Sequence, residues 1–312
     1  MEPAPYFSDV ANGAAPERVF WRKATDGTRL RLALWPAGPR GVVALFPGRT
    51  EIIEKYAHVA ADLAERGYGA VAIDWRGQGL SDRLKDKPLL GDIADFAHFH
   101  RDVAVMRDVL DEMAPADASR FVLAHSMGGC IALRALMEGF PARAVGFSAP
   151  MWGLRLSKTM RHAVVAATAV LGLARMDLRE IPGAGIEFRL WENPFDNNEL
   201  TTDPEVYAWM QAQVRTHPEL RLGAPSLRWL VAALAETRLL EQRPAPDLPA
   251  FCGLGTREMI VSSEAIEARM TNWPRGDLAH YNGALHELLM EAERIRTPFL
   301  ESVCALFDAH QP

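Results

Sequence analysis

The chain has 312 residues, of which 49% are hydrophobic, 24% charged and 8% aromatic, proportions of a globular protein that exclude disordered, collagen-like and fibrous classes. Lys and Arg number 34 against 40 Asp and Glu, a formal net charge of −6, so no basic excess is available to neutralise a phosphate backbone and nucleic acid is not an expected partner.

The first 19 residues are acidic and rich in Pro and Ala. They lack the positive start and apolar stretch of a secretory signal. Val19–Lys23 and Arg29–Trp35, joined across Asp26-Gly27, predict a hairpin. Gly41–Phe46 is a continuously apolar strand, and Glu54–Arg66 places Tyr56, Val59, Ala60 and Leu63 on one helical face before Gly67. Gly69–Ile73 is a second buried strand. Asp95–Met113 repeats Phe96, Phe99, Val103, Met106 and Leu110 at helical spacing. Arg120–Ala124 is a third strand, followed by a helix over Met127–Met137 and a fourth strand at Ala144–Ser148. The alternation resumes late, with strands at Ala250–Leu254 and Asp277–Tyr281, a helix at Ser263–Met270 and an amphipathic helix at Ala292–Phe307. Continuous apolar strands separated by helices predict an α/β fold, a mostly parallel sheet covered on both faces.

From Met151 to Arg243 the strand signals vanish, and Trp152, Trp191, Trp209 and Trp229 crowd into short helical patches broken by Pro and Asn turns. The expected organisation is one core, residues 1–150 and 244–312, carrying a helical insertion at 151–243. The longest apolar run, Ala163–Ala174, falls short of the about 20 residues that a membrane span needs. Cys130, Cys252 and Cys304 are widely spaced in apolar surroundings. They read as buried free thiols in a reducing compartment, which predicts a cytoplasmic protein.

The sharpest local signal is Phe121–Gly129, FVLAHSMGG. A buried strand runs into a serine and a helix begins at once, which lifts the Ser126 hydroxyl above the carboxyl edge of the sheet beside the N–H groups of a helix start. The elbow pattern Gly-x-Ser-x-Gly reads here Ala124-His125-Ser126-Met127-Gly128, with Gly129 following. Alanine at the first position adds only a methyl. A serine at a strand–helix junction can also be a plain N-cap, but strand, elbow and helix in register favour a nucleophile.

A nucleophilic serine needs a base, and the base an orienting acid, in the chain order Ser, Asp/Glu, His. Glu258 follows the strand that breaks at Gly255, and His286 follows the last strand; both are expected at the carboxyl edge. Of the rivals, His280 lies inside a strand, His125 should point away from its neighbour Ser126, and Asp247 and Asp277 stand at the starts of strands. The oxyanion donors expected are the backbone N–H groups of Met127 and of Arg49, in the loop Pro47-Gly48-Arg49 after the first core strand.

The segments FPGRTEIIEKY (46–56), DWRGQGLSDR (74–83), LAHSMGG (123–129), SAPMWG (148–153), ELTTDPEVY (199–207) and GALHELLMEAERIR (283–296) together resemble the serine α/β-hydrolases, in particular the monoglyceride lipase and lysophospholipase branch. That family carries its acid as Asp in Gly-x-x-Asp-x-x-Val, where this chain has Glu258 between Gly255 and Val261, one methylene longer. It usually has His-Gly where this chain has Pro47-Gly48. The resemblance implies the α/β-hydrolase fold, with the insertion as a lid over an acyl-chain tunnel and the 74–82 loop as a buttress. It further implies hydrolysis of a lipid ester, monoacylglycerol or lysophospholipid, through an acyl-enzyme on Ser126, with no metal or organic cofactor.

Lys158, Arg161, Arg175 and Arg179 flank the apolar run of the insertion. They fit a helix lying on a membrane surface, and a lid helix buried against the core fits equally; co-sedimentation with anionic liposomes separates the two. The competing functions are a short-chain carboxylesterase or thioesterase, a carbon–carbon bond hydrolase, and a catalytically inactive binding protein on the same fold.

Overall fold

A computed structural model of the protein describes residues 2–114, 118–156, 178–181, 185 and 188–312. The hairpin is β2 (Arg18–Lys23) and β3 (Arg29–Trp35), preceded by a two-residue strand β1 (Glu2–Pro3). The apolar runs are β4 (Val42–Phe46), β5 (Gly69–Asp74), β6 (Arg120–His125), β7 (Ala144–Ser148), β8 (Ala250–Gly255) and β9 (Gly276–Tyr281). They form one sheet in the order β1-β2-β3-β5-β4-β6-β7-β8-β9. Neighbours from β1 to β5 are antiparallel, and those from β5 to β9 are parallel.

Alternate side chains of the parallel strands feed two cores. Val42, Ala44, Phe46, Val71, Ile73, Val122 and Ala124 pack on one face with helices α2 (Phe99–Met113) and α3 (Met127–Met137). Val43, Leu45, Ala70, Ala72, Phe121 and Leu123 pack on the other with α1 (Ala57–Glu65) and the C-terminal helix Glu293–Asp308. Burial on both faces is why these strands read as unbroken apolar runs.

Two helices begin with tighter turns than their periodicity predicts. A 3₁₀ turn at Ile53–Tyr56 precedes α1, and another at Phe96–His98 precedes α2, capped by Asp95. The first is set by a buried ion cluster. Arg31, in the middle of β3, donates to Asp74 at 2.7 Å and to both oxygens of Glu54 at 2.8 Å. Asp74 also accepts the N–H groups of Ile53 at 2.9 Å and Leu80 at 2.8 Å. One carboxylate thus anchors the loops after β4 and after β5, and the full set of hydrogen bonds is what makes burying these charges tolerable.

Within 151–243 the described elements are α4 (Pro204–Thr216) and α5 (Leu227–Glu241) with short 3₁₀ turns. Asp203 caps α4 by accepting from Glu205 and Val206 N–H, with Pro204 in the first turn, and Ser226 caps α5 through Trp229 N–H. Tyr207 and Met210 of α4 join the core on the α1 side, and Trp229 of α5 the core on the α2 side. Of the basic residues expected to flank an apolar cap helix, Arg179 alone lies among the described residues; Lys158, Arg161, Arg175 and the run Ala163–Ala174 fall outside them. Beyond the insertion come α6 (Ser263–Thr271) and, after β9, α7, the C-terminal helix. Among the described residues no helix is long and apolar enough to cross a membrane, and all three cysteines are buried free thiols.

Candidate active site

The strand order brings four loops to one edge. β4 lies between β5 and β6, so the chain leaves β4 towards one side and returns to β6 on the other, opening a crevice at their carboxyl ends. The register sets Phe46 opposite Ala124 and His125 opposite Ser148. The loop Pro47-Gly48-Arg49 and the turn at Ser126 are therefore neighbours.

Ser126 has φ +50° and ψ −120°, a region that non-glycine residues avoid. The turn throws its side chain outward: it makes no capping bond to the helix it precedes, and the hydroxyl instead lies 2.8 Å from Nε2 of His286. Nδ1 of that imidazole lies 2.7 Å from Oε2 of Glu258, whose Oε1 accepts the N–H groups of Ile260 at 2.7 Å and Val261 at 3.0 Å. Ser126, His286 and Glu258 are 8%, 3% and 8% exposed. Three residues remote in sequence thus form one continuous relay.

The elbow tolerates little bulk. A Cβ on Gly128 would lie 2.0 Å from the Phe46 carbonyl oxygen, and one on Gly129 would lie 2.5 Å from the Pro150 ring. At the first position Ala124 faces the sheet core, fully buried.

The rival histidines and acids lie elsewhere. His125 turns its Nδ1 to the Ser148 carbonyl at 3.0 Å and hydroxyl at 3.1 Å, and burial lowers its pKa to about 4. His280 is exposed and pairs with Glu267 at 3.0 Å. Asp247 and Asp277 are exposed, before and at the start of β8 and β9.

In the loop after β4, almost every polar group is taken. The Pro47 carbonyl accepts Trp75 Nε1 at 2.9 Å and the Gly48 carbonyl accepts Gln78 Nε2 at 3.0 Å. The Gly48 N–H donates to Glu51, and the Thr50 N–H to Gln78 Oε1 at 3.1 Å. The Arg49 N–H has no acceptor among the described residues, and neither does that of Met127, the first residue of α3. Two donors, one on this loop and one on the residue after Ser126, are thus unspent among the described residues.

Beneath the imidazole is a charge cluster that sequence reasoning missed. Lys55 donates to Glu51 at 2.8 Å and to Glu287 at 2.6 Å, and the Tyr56 hydroxyl donates to Glu51 at 2.6 Å. Glu51, His125 and Glu287 stand close enough to share a cation, and the Lys55 ammonium fills that role for the two acids. The one sequence signal was Glu51 and Lys55 at helical i,i+4 spacing.

Electrostatics separate the partners' roles. Burial disfavours the His286 imidazolium, but Glu258, then Glu287 and Glu51, outweigh it and hold the pKa above the ordinary histidine value. Burial likewise works against the Glu258 carboxylate, yet His286 and the two backbone N–H groups hold it at about 2. The carboxyl is thus held ionised while the imidazole's affinity for a proton is raised.

Residues 37–293 match the family model described as serine aminopeptidase, S33. The chain is 30% identical over 281 residues to lysophospholipase L2 of Escherichia coli strain K12, covering 86% of this chain and 81% of that one. It is 29% identical over 274 residues to the monoacylglycerol lipase of Mycolicibacterium smegmatis, covering 86% and 89%. A soluble variant of monoglyceride lipase from Saccharomyces cerevisiae, solved with a substrate analog, has a TM-score of 0.75 at 19% identity over 99% of this chain and 100% of that one, a likeness of fold.

Proposed function

From the premise that the chain belongs to the serine aminopeptidase S33 family, and is thus a serine hydrolase of the lysophospholipase and monoglyceride lipase branch, we propose that Ser126, His286 and Glu258 hydrolyse the carboxylic ester of a single-chain lipid, a lysophospholipid or monoacylglycerol. The observation that carries this reading is the relay from the Ser126 hydroxyl through His286 to Glu258, at 2.8 and 2.7 Å.

Nε2 of His286 takes the serine proton as Oγ attacks the ester carbonyl. Glu258 keeps the other ring proton on Nδ1 and stabilises the imidazolium. The oxyanion that forms is received by the N–H groups of Met127 and Arg49, already fixed in place before reaction. His286 returns its proton to the leaving glycerol oxygen. A water activated by the same imidazole then releases the fatty acid and regenerates Ser126. In this reading residues 151–243 are the cap over the core 1–150 and 244–312, and the cap is the part that meets lipid.

Turnover of 1-acyl lysophospholipids, monoacylglycerols and short p-nitrophenyl esters tests the assignment. The long-chain esters should have kcat/KM at least about tenfold above the short ones, since each buried methylene adds about 0.8 kcal/mol. A preference for short esters would make the protein a short-chain carboxylesterase, and an inert protein would revive the binding-protein reading.

The pH profile follows from the base. His286 must be neutral to accept the serine proton, and its pKa lies above the ordinary value. The acid limb of kcat/KM should therefore have its midpoint above about 6.5. A midpoint below pH 6 would contradict the coupling of His286 to Glu258.

A further inference from the structure

The oxyanion loop carries a second group whose surroundings point to a ligand. The Arg49 side chain extends from the same residue whose N–H is unspent, and among the described residues no carboxylate meets it. Nη2 donates to the Gly223 carbonyl, Cζ lies 5.5 Å from the centroid of the Trp229 ring, and Nε is buried with no acceptor. Among the described residues Nη1 has no acceptor either, and the residue as a whole stays partly exposed. Gly91 makes room for the guanidinium itself, since a Cβ there would sit 2.3 Å from Nη2.

Three other withdrawn cations are neutralised, while Arg83 and Arg269 spend their donors on more than one backbone carbonyl each. Arg31 has Glu54 and Asp74, Lys55 has Glu51 and Glu287, and Arg76 has Asp102. Arg49 has a carbonyl and an aromatic face. Desolvation lowers its pKa to about 9, which still leaves it cationic at neutral pH. A desolvated cation with spare donors and no internal anion is unfavourable on its own, and an incoming anion relieves that cost.

The reach fits one class of substrate. An arginine side chain sets its guanidinium about 6 Å from its own backbone, and the phosphate of a lysophospholipid lies about 5–7 Å from its ester carbonyl, by ordinary bond lengths. We propose that Arg49 is a specificity residue that receives the phosphodiester of a lysophospholipid through Nε and Nη1 while its own N–H holds the oxyanion. This rests on the lipid-ester reading above and narrows it, because a monoacylglycerol has no charge to offer the guanidinium. Side-chain replacement leaves the backbone N–H in place, so the two roles of the residue are separable.

The test compares kcat/KM for 1-palmitoyl lysophosphatidylglycerol and 1-palmitoyl glycerol in the wild-type protein, Arg49→Gln and Arg49→Lys, with thermal melts to establish folding. In Arg49→Gln the ratio of the two, lysophospholipid over monoacylglycerol, should fall about ten- to a hundredfold, chiefly through KM, the effect of losing hydrogen bonds to a charged group. Arg49→Lys should recover part of it as a point charge. A ratio within about twofold of wild type in a folded Gln variant, both esters falling together, would overturn the proposal and make Arg49 a clamp on Gly223. If Arg49→Gln does not fold, an unchanged ratio in a folded Arg49→Lys overturns it instead, since a lysine cannot reproduce the planar two-donor contact. Wild-type protein that turns over neither ester would overturn the lipid-ester reading itself, and this inference with it.

Discussion

Replacing Ser126 with alanine is expected to abolish covalent labelling by a fluorophosphonate probe and to lower kcat for ester hydrolysis by about 10⁵-fold or more, the scale seen when a nucleophile of such a relay is removed. The same substitution should leave the melting curve almost unmoved. Ser126 precedes α3, and a serine there could serve as its N-cap, whose loss costs about 0.5–2 kcal/mol. Yet the side chain makes no capping bond, and its hydroxyl is turned 2.8 Å from His286 instead. Activity and stability therefore come apart under one mutation. A Ser126→Ala protein that still labels, or that loses stability in step with activity, would show that the hydroxyl serves the helix and not the chemistry.

The second large effect concerns Glu258. In Glu258→Gln the amide oxygen can keep the Ile260 and Val261 N–H groups that Oε1 now accepts at 2.7 and 3.0 Å. The amide NH₂ then faces Nδ1 of His286, which must become an acceptor and move its proton to Nε2. That is the nitrogen that has to receive the serine proton, so kcat should fall by about 10⁴-fold, the cost of the wrong tautomer. The lost negative charge also removes the largest influence raising the His286 pKa, and the acid limb of any residual activity should move to lower pH. Glu258→Asp keeps the charge but withdraws it by one methylene, and an intermediate loss with the limb little moved is expected. Equal activity of Gln and Glu proteins in kcat/KM measurements would remove Glu258 from the relay and leave His286 without an orienting acid.

Much of the fold was legible because the parallel strands are buried on both faces. A strand such as Val42–Phe46 has no solvent side, so its sequence is an unbroken apolar run that no surface helix would carry. The helices announced themselves by the opposite property, one wet face each, as with Phe99, Val103, Met106 and Leu110 on α2. What periodicity could not give were the starts of α1 and α2. Both open with a 3₁₀ turn, before α2 capped locally by Asp95 and before α1 held by Asp74, distant along the chain, which accepts Ile53 N–H.

The site divides in the same way. Ser126 was readable because an elbow is a local device: strand, nucleophile, small residues and helix follow one another within ten positions, and backbone crowding dictates each type. His286 and Glu258 were readable only as positions after strands, since a sequence says which end of a strand a loop leaves but not how strands lie side by side. The order β4-β6-β7-β8-β9 supplies that. Beyond the i,i+4 spacing of Glu51 and Lys55, neither their cluster with Glu287 nor the guanidinium of Arg49, which meets no carboxylate among the described residues, was legible in advance, because a charge on a loop looks the same whether it faces water or is desolvated.

The amino-acid sequence alone therefore determined the layered α/β architecture and the strand–turn–helix elbow at Ser126, since both follow from interactions between residues near one another in the chain. Tertiary structure alone decided which carboxylate meets which imidazole and, among the described residues, which N–H groups remain unspent and which cations find no carboxylate. Those are facts about distance and solvent, and they come into being only when remote segments close over one edge of the sheet.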